Sequence, residues 1–237
     1  MGIAGFFESL KKLCDKYRVL LVIDEIQDIA PIKEAQGLLR ASLQSLSNAP
    51  VIIMGSEYRV IHQMTENKNS PLYDYGEPLI FKEIPVEEWL PYFNDRLEHC
   101  SITPEGMSYL VDTLYNIPNS LCEVGHWINE ERLSGEIGKI DIHNFLKDQL
   151  SKRAQMYRYS LSKINKGELT VIKVVAELGW VKETRGKDFV SRTGLSASGA
   201  VKIIERLIQE KDLQWDISRG VRVSNPLLAF FLLNYPA

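Results

Sequence analysis

Cysteine, histidine and long apolar runs are scarce in this 237-residue chain, and each scarcity removes a class of protein. The three cysteines, Cys14, Cys100 and Cys122, are odd in number, far apart and outside any C-x-x-C pair, which excludes a disulfide framework and points to reduced thiols. The four histidines, His62, His99, His126 and His143, show no metal-ligand spacing, so no zinc site is expected. No apolar run approaches the about 20 residues that span a bilayer. "LLAFFLL" near the C-terminus is too short, and "MGIAGFF" is too short for a signal peptide and has Phe6 where a myristoylation pattern needs Ser or Thr. Internal repeats and low-complexity tracts are absent. These absences predict a cytoplasmic globular protein with no membrane segment.

The chain is 45% hydrophobic and 25% charged, enough for one large core or two smaller ones. Its net charge of -3 conceals an asymmetry. Residues 1 to 150 hold 13 Lys+Arg and 23 Asp+Glu, a net -10, whereas residues 151 to 237 hold 15 and 8, a net +7. Either the two parts do different jobs, the basic one being a candidate for nucleic acid, or both are solvated faces.

Apolar periodicity predicts alternation over the first third: helix (Gly5 to Tyr17), strand (Val19 to Ile23), helix (Ile32 to Leu46), strand (Val51 to Met54), helix (Glu57 to Met64) and strand (Pro78 to Ile84). Such alternation implies a parallel α/β sheet. The five apolar residues from Val19 to Ile23 suit a strand buried on both faces. From Val86 to Ile164 the pattern reads as helices alone, with Thr103 capping a helix that opens on Pro104. After Asn165 comes a compact basic unit of three helices and a hairpin.

The sharpest stretch is "RVLLVIDEIQDIA", residues 18 to 30, in which Asp24 and Glu25 end an apolar strand. The carboxyl end of a parallel strand is where open α/β sheets bind ligands. "VLLVIDE" resembles the Walker B element of P-loop ATPases, and "VIIMGSE", ending in Gly55 and Ser56, resembles sensor 1. "DEIQDI" and "SPLYDYGEPLIFKEIPVEEWLPYF" are similar to the corresponding segments of the prokaryotic AAA+/STAND ATPases often called archaeal ATPases. That resemblance implies a P-loop NTPase core using ATP and Mg2+, with Asp24 at the metal, Glu25 polarising the attacking water and Ser56 placing that water or touching the terminal phosphate.

The phosphate cradle of that family has no counterpart. G-x-x-x-x-G-K-[ST] is absent: "GEIGK" (Gly135 to Lys139) is followed by Ile140, and Lys187 of "RGKD" belongs to the basic unit. Only 18 residues precede Val19, too few for a P-loop strand, its helix and a further strand-helix unit. Asp74, Tyr75 and Gly76 stand where relatives often have Gly-Arg, and no sensor 2 arginine follows "YNIPNSL". The expectation is that this chain alone binds no nucleotide, being either the C-terminal part of a longer ATPase or a protein that has given up nucleotide. In this ATPase class the P-loop strand lies between the sensor 1 strand and the strand at Leu79 to Ile84. Its loss implies open sheet edges and self-association.

In the basic unit, "TVIKVVAELG" reads as a helix stopped by Gly179, and "KDFVSRTGLSASGAVKIIERLIQEK" as helix-turn-helix, with the turn at Gly194, Leu195 in the core and a cap at Ser196. Val201, Ile204 and Ile208 face inward at helical spacing, while Ser198, Lys202 and Arg206 share the outer face. "LQWDISRGVRVSN" reads as a hairpin turning at Ser218, Arg219 and Gly220. Helix-turn-helix plus basic hairpin resembles a winged helix, which implies duplex DNA at Ser198, Lys202 and Arg206, with Arg219 and Arg222 on phosphate or minor groove. The alternative is protein contact or packing on the ATPase core. Trp89, Trp127, Trp180 and Trp215 read as core or interface residues. The sequence thus divides into a truncated ATPase core (1–85), a helical lid (86–164) and a winged helix-turn-helix (165–237).

Overall fold

The computed structural model describes residues 3–46, 49–79 and 81–235, which fall into two compact units, Met1–Ile80 and Phe81–Ala237. No helix among the described residues is long and apolar enough to cross a membrane.

The first unit runs α1 (Ile3–Lys16), β1 (Leu21–Ile23), a 3-10 turn (Ile26–Ile29), α2 (Lys33–Gln44), β2 (Val51–Ile53) and α3 (Tyr58–Glu66). β1 and β2 pair in parallel, with Leu21 opposite Val51, Val22 opposite Ile52 and Ile23 opposite Ile53. Side chains alternate across the pleat. Leu21, Ile23, Val51 and Ile53 pack on Cys14, Leu43 and Leu46 from α1, α2 and the residues after α2, while Ile23 and Ile53 also meet Ile26, Met64 and Leu72. Leu20, Val22, Ile52 and Met54 point the other way and are exposed. The strand expected to be buried on both faces is therefore covered on one, because no second layer lies over Val22 and Ile52 among the described residues.

The strand expected from Pro78 to Ile84 does not form. Residues 78, 79 and 81–84 carry no ladder, Phe81 is 89% exposed, and Ile80 lies outside the described residues. A strand needs a neighbour to take its backbone N-H and C=O groups, and among the described residues no strand pairs with this segment. Apolar side chains alone do not make one.

The second unit contains α4 (Val86–Arg96), β3 (Cys100–Ile102), α5 (Pro104–Thr113), α6 (Pro118–Glu130), β4 (Gly135–Ile137), α7 (Lys139–Lys152), α8 (Ala154–Ser162), α9 (Lys166–Leu178), α10 (Lys187–Thr193), α11 (Ala197–Gln209), β5 (Leu213–Asp216), β6 (Gly220–Val223) and α12 (Pro226–Asn234). β3 and β4 pair in parallel inside the segment expected to hold helices alone. At three residues each they are too short to leave a period-2 signature. One buried core runs from Trp89 through Leu146 and Ile172 to Leu232, so residues 86–164 and the basic C-terminal residues share it.

α9 organises the C-terminal part, packing against α10, α11, β6 and α12. Its first turn is a capping box: Glu168 N donates to Asn165 Oδ1 at 3.0 Å, and Asn165 N donates to Glu168 Oε2 at 3.1 Å. Glu168 is 2% exposed, and Arg206 of α11 meets its other oxygen at 2.7 Å, which compensates the buried charge. Gly194 ends α10 in the left-handed region, and Ser196 Oγ accepts from Gly199 N to begin α11, as the sequence indicates. β5 and β6 form the antiparallel hairpin, and Val181 adds a short bridge to Val221. Gly220 has φ 95°, and a Cβ there would lie 2.1 Å from Val181 O, so this close approach admits only glycine.

Asp216 closes the hairpin turn, its Oδ1 accepting from Ser218 Oγ at 2.6 Å, Ser218 N at 2.8 Å and Arg219 N at 2.9 Å. These donors, the Ser218 hydroxyl first, hold its carboxyl below the usual aspartate range. A carboxyl whose pKa falls on folding stabilises the protein above its unfolded value of about 3.9 and loses that contribution as pH falls through the folded value. Asp216→Ala should flatten the acid limb of stability against pH, measured by urea unfolding at a series of pH values. Asn165→Ala should lower stability by about 1 kcal/mol at every pH, through loss of the α9 cap.

Candidate functional site

Because β1 and β2 are adjacent and parallel, both leave the sheet at the same edge. Met54 N donates to Ile23 O at 2.8 Å and Ile26 N to Met54 O at 3.1 Å, which lace the two exits together. Asp24 and Glu25 follow one strand, Gly55 and Ser56 the other. Asp24 is exposed, and its Oδ1 accepts from Glu25 N at 2.8 Å. Glu25 sits in the left-handed region at φ 53° and ψ 43°, a costly conformation for a side chain of this size and one that collects at functional sites.

That backbone turn carries the Glu25 carboxylate across to the second strand end. Ser56 Oγ donates to Glu25 Oε2 at 3.2 Å, and Gln27 Nε2 donates to the same oxygen and lies 3.4 Å from Ser56 Oγ. The structure thus joins the two residues singled out as catalytic, Glu25 and Ser56, and adds Gln27, to which sequence reasoning assigned no role. The signal for Gln27 lay in "DEIQ": after a left-handed turn, a residue two positions beyond Glu25 folds back beneath it. Gly55 makes room, since a Cβ there would stand 2.1 Å from Gln27 Oε1.

Chemically, the cluster supplies oxygen donors and one amide. An exposed carboxylate at Asp24 suits a hard cation that keeps most of its waters, as Mg2+ does. Among the described residues no three His, Cys, Asp or Glu side chains gather to enclose a metal by themselves. No Gly-rich loop ending in G-K-[ST] is present to cradle phosphates. What these residues offer is an exposed carboxylate for a hydrated cation and oxygens that can hold a water.

The basic candidates separate. Ser198 and Lys202 are exposed on the outer face of α11, and Lys202 has no acidic partner among the described residues. Arg206 shares that face but is held by Glu210 at 3.0 Å and by Glu168, and these pairings, the Glu210 hydrogen bond first, raise its already high pKa. Arg219 pairs with Glu83 at 3.0 Å. Arg222 lies 4.4 Å from the Trp180 ring centroid and 4.6 Å from that of Tyr115, and burial there pushes its pKa down. Three of the four arginines and lysines expected at DNA are thus engaged within the chain. Sequence reasoning missed this because Glu83, Tyr115 and Glu168 are remote in the chain from the cations they meet.

Gly55→Ala should displace the Gln27 amide, because the crowded atom is the tip of a flexible side chain rather than backbone. The expected result is a shift of the Gln27 side-chain amide resonances in a 1H-15N spectrum, with a stability change under about 1 kcal/mol.

No family model and no curated protein matches the sequence. Among solved structures the chain is similar to the Walker-type ATPase PABY2304 of Pyrococcus abyssi, with 18% identity and a TM-score of 0.61 over 98% of this chain and 68% of that one. At this identity the likeness is one of fold: a mixed α/β chain, mostly helical with short parallel sheets, built like a Walker-type ATPase.

Proposed function

We propose that this chain carries the Walker B, sensor 1, lid and winged-helix portions of a prokaryotic AAA+/STAND-type ATPase that works as a cytoplasmic regulatory switch. The observation that carries the reading is the 3.2 Å contact between Ser56 and Glu25 at the shared end of two parallel strands, in a chain with the fold of a Walker-type ATPase. In this reading Asp24 holds Mg2+, largely through water, Glu25 polarises the attacking water, and Ser56 places that water or contacts the terminal phosphate. ATP itself needs a phosphate cradle, so turnover requires a G-x-x-x-x-G-K-[ST] segment besides the residues of this chain. The uncovered face of Leu20, Val22, Ile52 and Met54 supports the same view, and until covered it favours self-association.

The test is Mg2+-dependent ATP turnover of the chain alone and of the chain joined to such a segment. The chain alone should show none that depends on Glu25. In the joined protein Glu25→Gln should lower kcat at least about 100-fold while ATP still binds. Full turnover in Glu25→Gln would overturn the assignment.

A second reading, a non-hydrolysing DNA-binding or scaffold protein, is favoured by one observation: Ser198 and Lys202 remain exposed on α11, beside a hairpin, in a part of the chain with net charge +7. Duplex affinity should then fall with salt, and Lys202→Ala should reduce the log-log slope by about 0.9, the value of one phosphate contact. Arg206→Ala should instead lower stability, since it strips the partner from buried Glu168. A slope unchanged by Lys202→Ala would remove α11 from the DNA interface.

A further inference from the structure

Between Asp148 and Glu168 the chain carries five cations, Lys152, Arg153, Arg158, Lys163 and Lys166, and no acid. This stretch comprises the end of α7, all of α8 and the start of α9. The first two cations are engaged. Lys152 Nζ lies 2.9 Å from both Glu131 and Asp148, and Arg153 stacks 4.0 Å from the Trp127 ring centroid while donating to Gln149 Oε1 at 2.7 Å. Arg158, Lys163 and Lys166 are exposed and have no carboxylate within ion-pair reach among the described residues.

α8 fixes which side of this stretch faces out. Tyr157 and Leu161 are buried, Tyr157 stacking on Phe231 of α12 at 5.0 Å between centroids. Met156 and Tyr159, one turn apart, are turned outward, and Tyr159 is 65% exposed. Lys163 Nζ stands 4.4 Å from the Tyr159 ring centroid. An aromatic ring open to solvent beside unpaired cations, in a stretch of chain without acids, combines the two elements that hold single-stranded nucleic acid: a face on which a base stacks, and charges that follow the phosphates. Around α8, Arg158 and Lys163 project on opposite sides of Tyr159, about 140° apart and about 7.5 Å apart along the axis, so their long side chains flank the ring and can meet the phosphates on either side of a base stacked on it. A lipid surface would call for a wider apolar face than Met156 and Tyr159 provide.

We infer that α8 and the start of α9 form a binding surface for single-stranded nucleic acid, with a base on Tyr159 and phosphates on Arg158, Lys163 and Lys166. The surface is distinct from the α11 face and independent of ATP turnover. α9 begins against α11, where a Cβ on Gly167 would lie 3.4 Å from Ile203, the neighbour of Lys202.

The test is fluorescence anisotropy of the full chain with a labelled oligothymidylate across a salt series. Three phosphate contacts give a log-log slope of about -2.1, taking about -0.7 for each on a single strand. Replacing both Arg158 and Lys163 by Ala should reduce the magnitude of that slope by about 1.4. Tyr159→Ala should weaken binding about tenfold, while Tyr159→Phe keeps the ring and the affinity. All these side chains are exposed, and unchanged circular dichroism and unfolding midpoints confirm that the variants fold. Absence of salt-dependent binding, or equal binding by Tyr159→Ala and Tyr159→Phe, would overturn the assignment. So would loss in these variants of adhesion to phosphatidylserine vesicles with no loss of oligothymidylate.

Discussion

Parallel pairing of Leu21–Ile23 with Val51–Ile53 is the constraint on which the acidic site depends. Antiparallel partners would send residues 24 and 25 to one edge and residues 55 and 56 to the other. Parallel ones bring them to the same edge, where two backbone hydrogen bonds tie Ile23, Ile26 and Met54 together. The left-handed turn at Glu25 then converts proximity into contact, aiming its carboxylate at Ser56. A strained residue persists only where its surroundings over-determine it, and here Ser56 and Gln27 hold the carboxylate while Asp24 holds the backbone N-H.

The same pairing leaves the first unit one-sided. Alternation across the pleat sends Leu21, Ile23, Val51 and Ile53 inward and Leu20, Val22, Ile52 and Met54 outward. A parallel sheet normally has both faces covered, because its crossovers lay helices on them. Here, among the described residues, helices lie against one face alone. Among the described residues, the segment at 78, 79 and 81–84 joins no ladder.

In the second unit, charge serves the interior before it serves any partner. Arg206 neutralises Glu168 inside the α9 cap, Arg219 meets Glu83, and Arg222 lies between Tyr115 and Trp180. The hairpin is thereby fastened to the residues just before α4 and to the end of α5. Exposed and without an acidic partner among the described residues are Lys202 on α11, Arg158, Lys163 and Lys166 along the acid-free stretch, and Lys182, Arg185 and Lys187 around the start of α10, so the +7 of residues 151–237 is divided between internal pairs and these exposed cations.

Local chemistry was legible because it acts through neighbours in the chain. The Thr103 and Ser196 caps, the Gly194 turn and the hairpin around Ser218 to Gly220 follow from residues within one or two turns of each other, and the likeness of "VLLVIDE" and "VIIMGSE" to Walker B and sensor 1 sat on strands that do lie side by side, whereas the buried row of α11 is Ala200, Ile204 and Leu207 rather than Val201, Ile204 and Ile208. The sequence by itself determined where helices start and stop, which face of each is apolar and which strand ends carry acids, since these depend on φ/ψ preference and side-chain period. Tertiary structure decided what needs partners distant in the chain: that 78–84 has no strand beside it, that Gln27 fills the space left by Gly55, and that Glu168, Glu83 and Tyr115 occupy three arginines. A cation looks the same in sequence whether it faces water or a carboxylate a hundred residues away. Only the fold, by bringing that carboxylate within about 3 Å, determines which charges remain for a ligand.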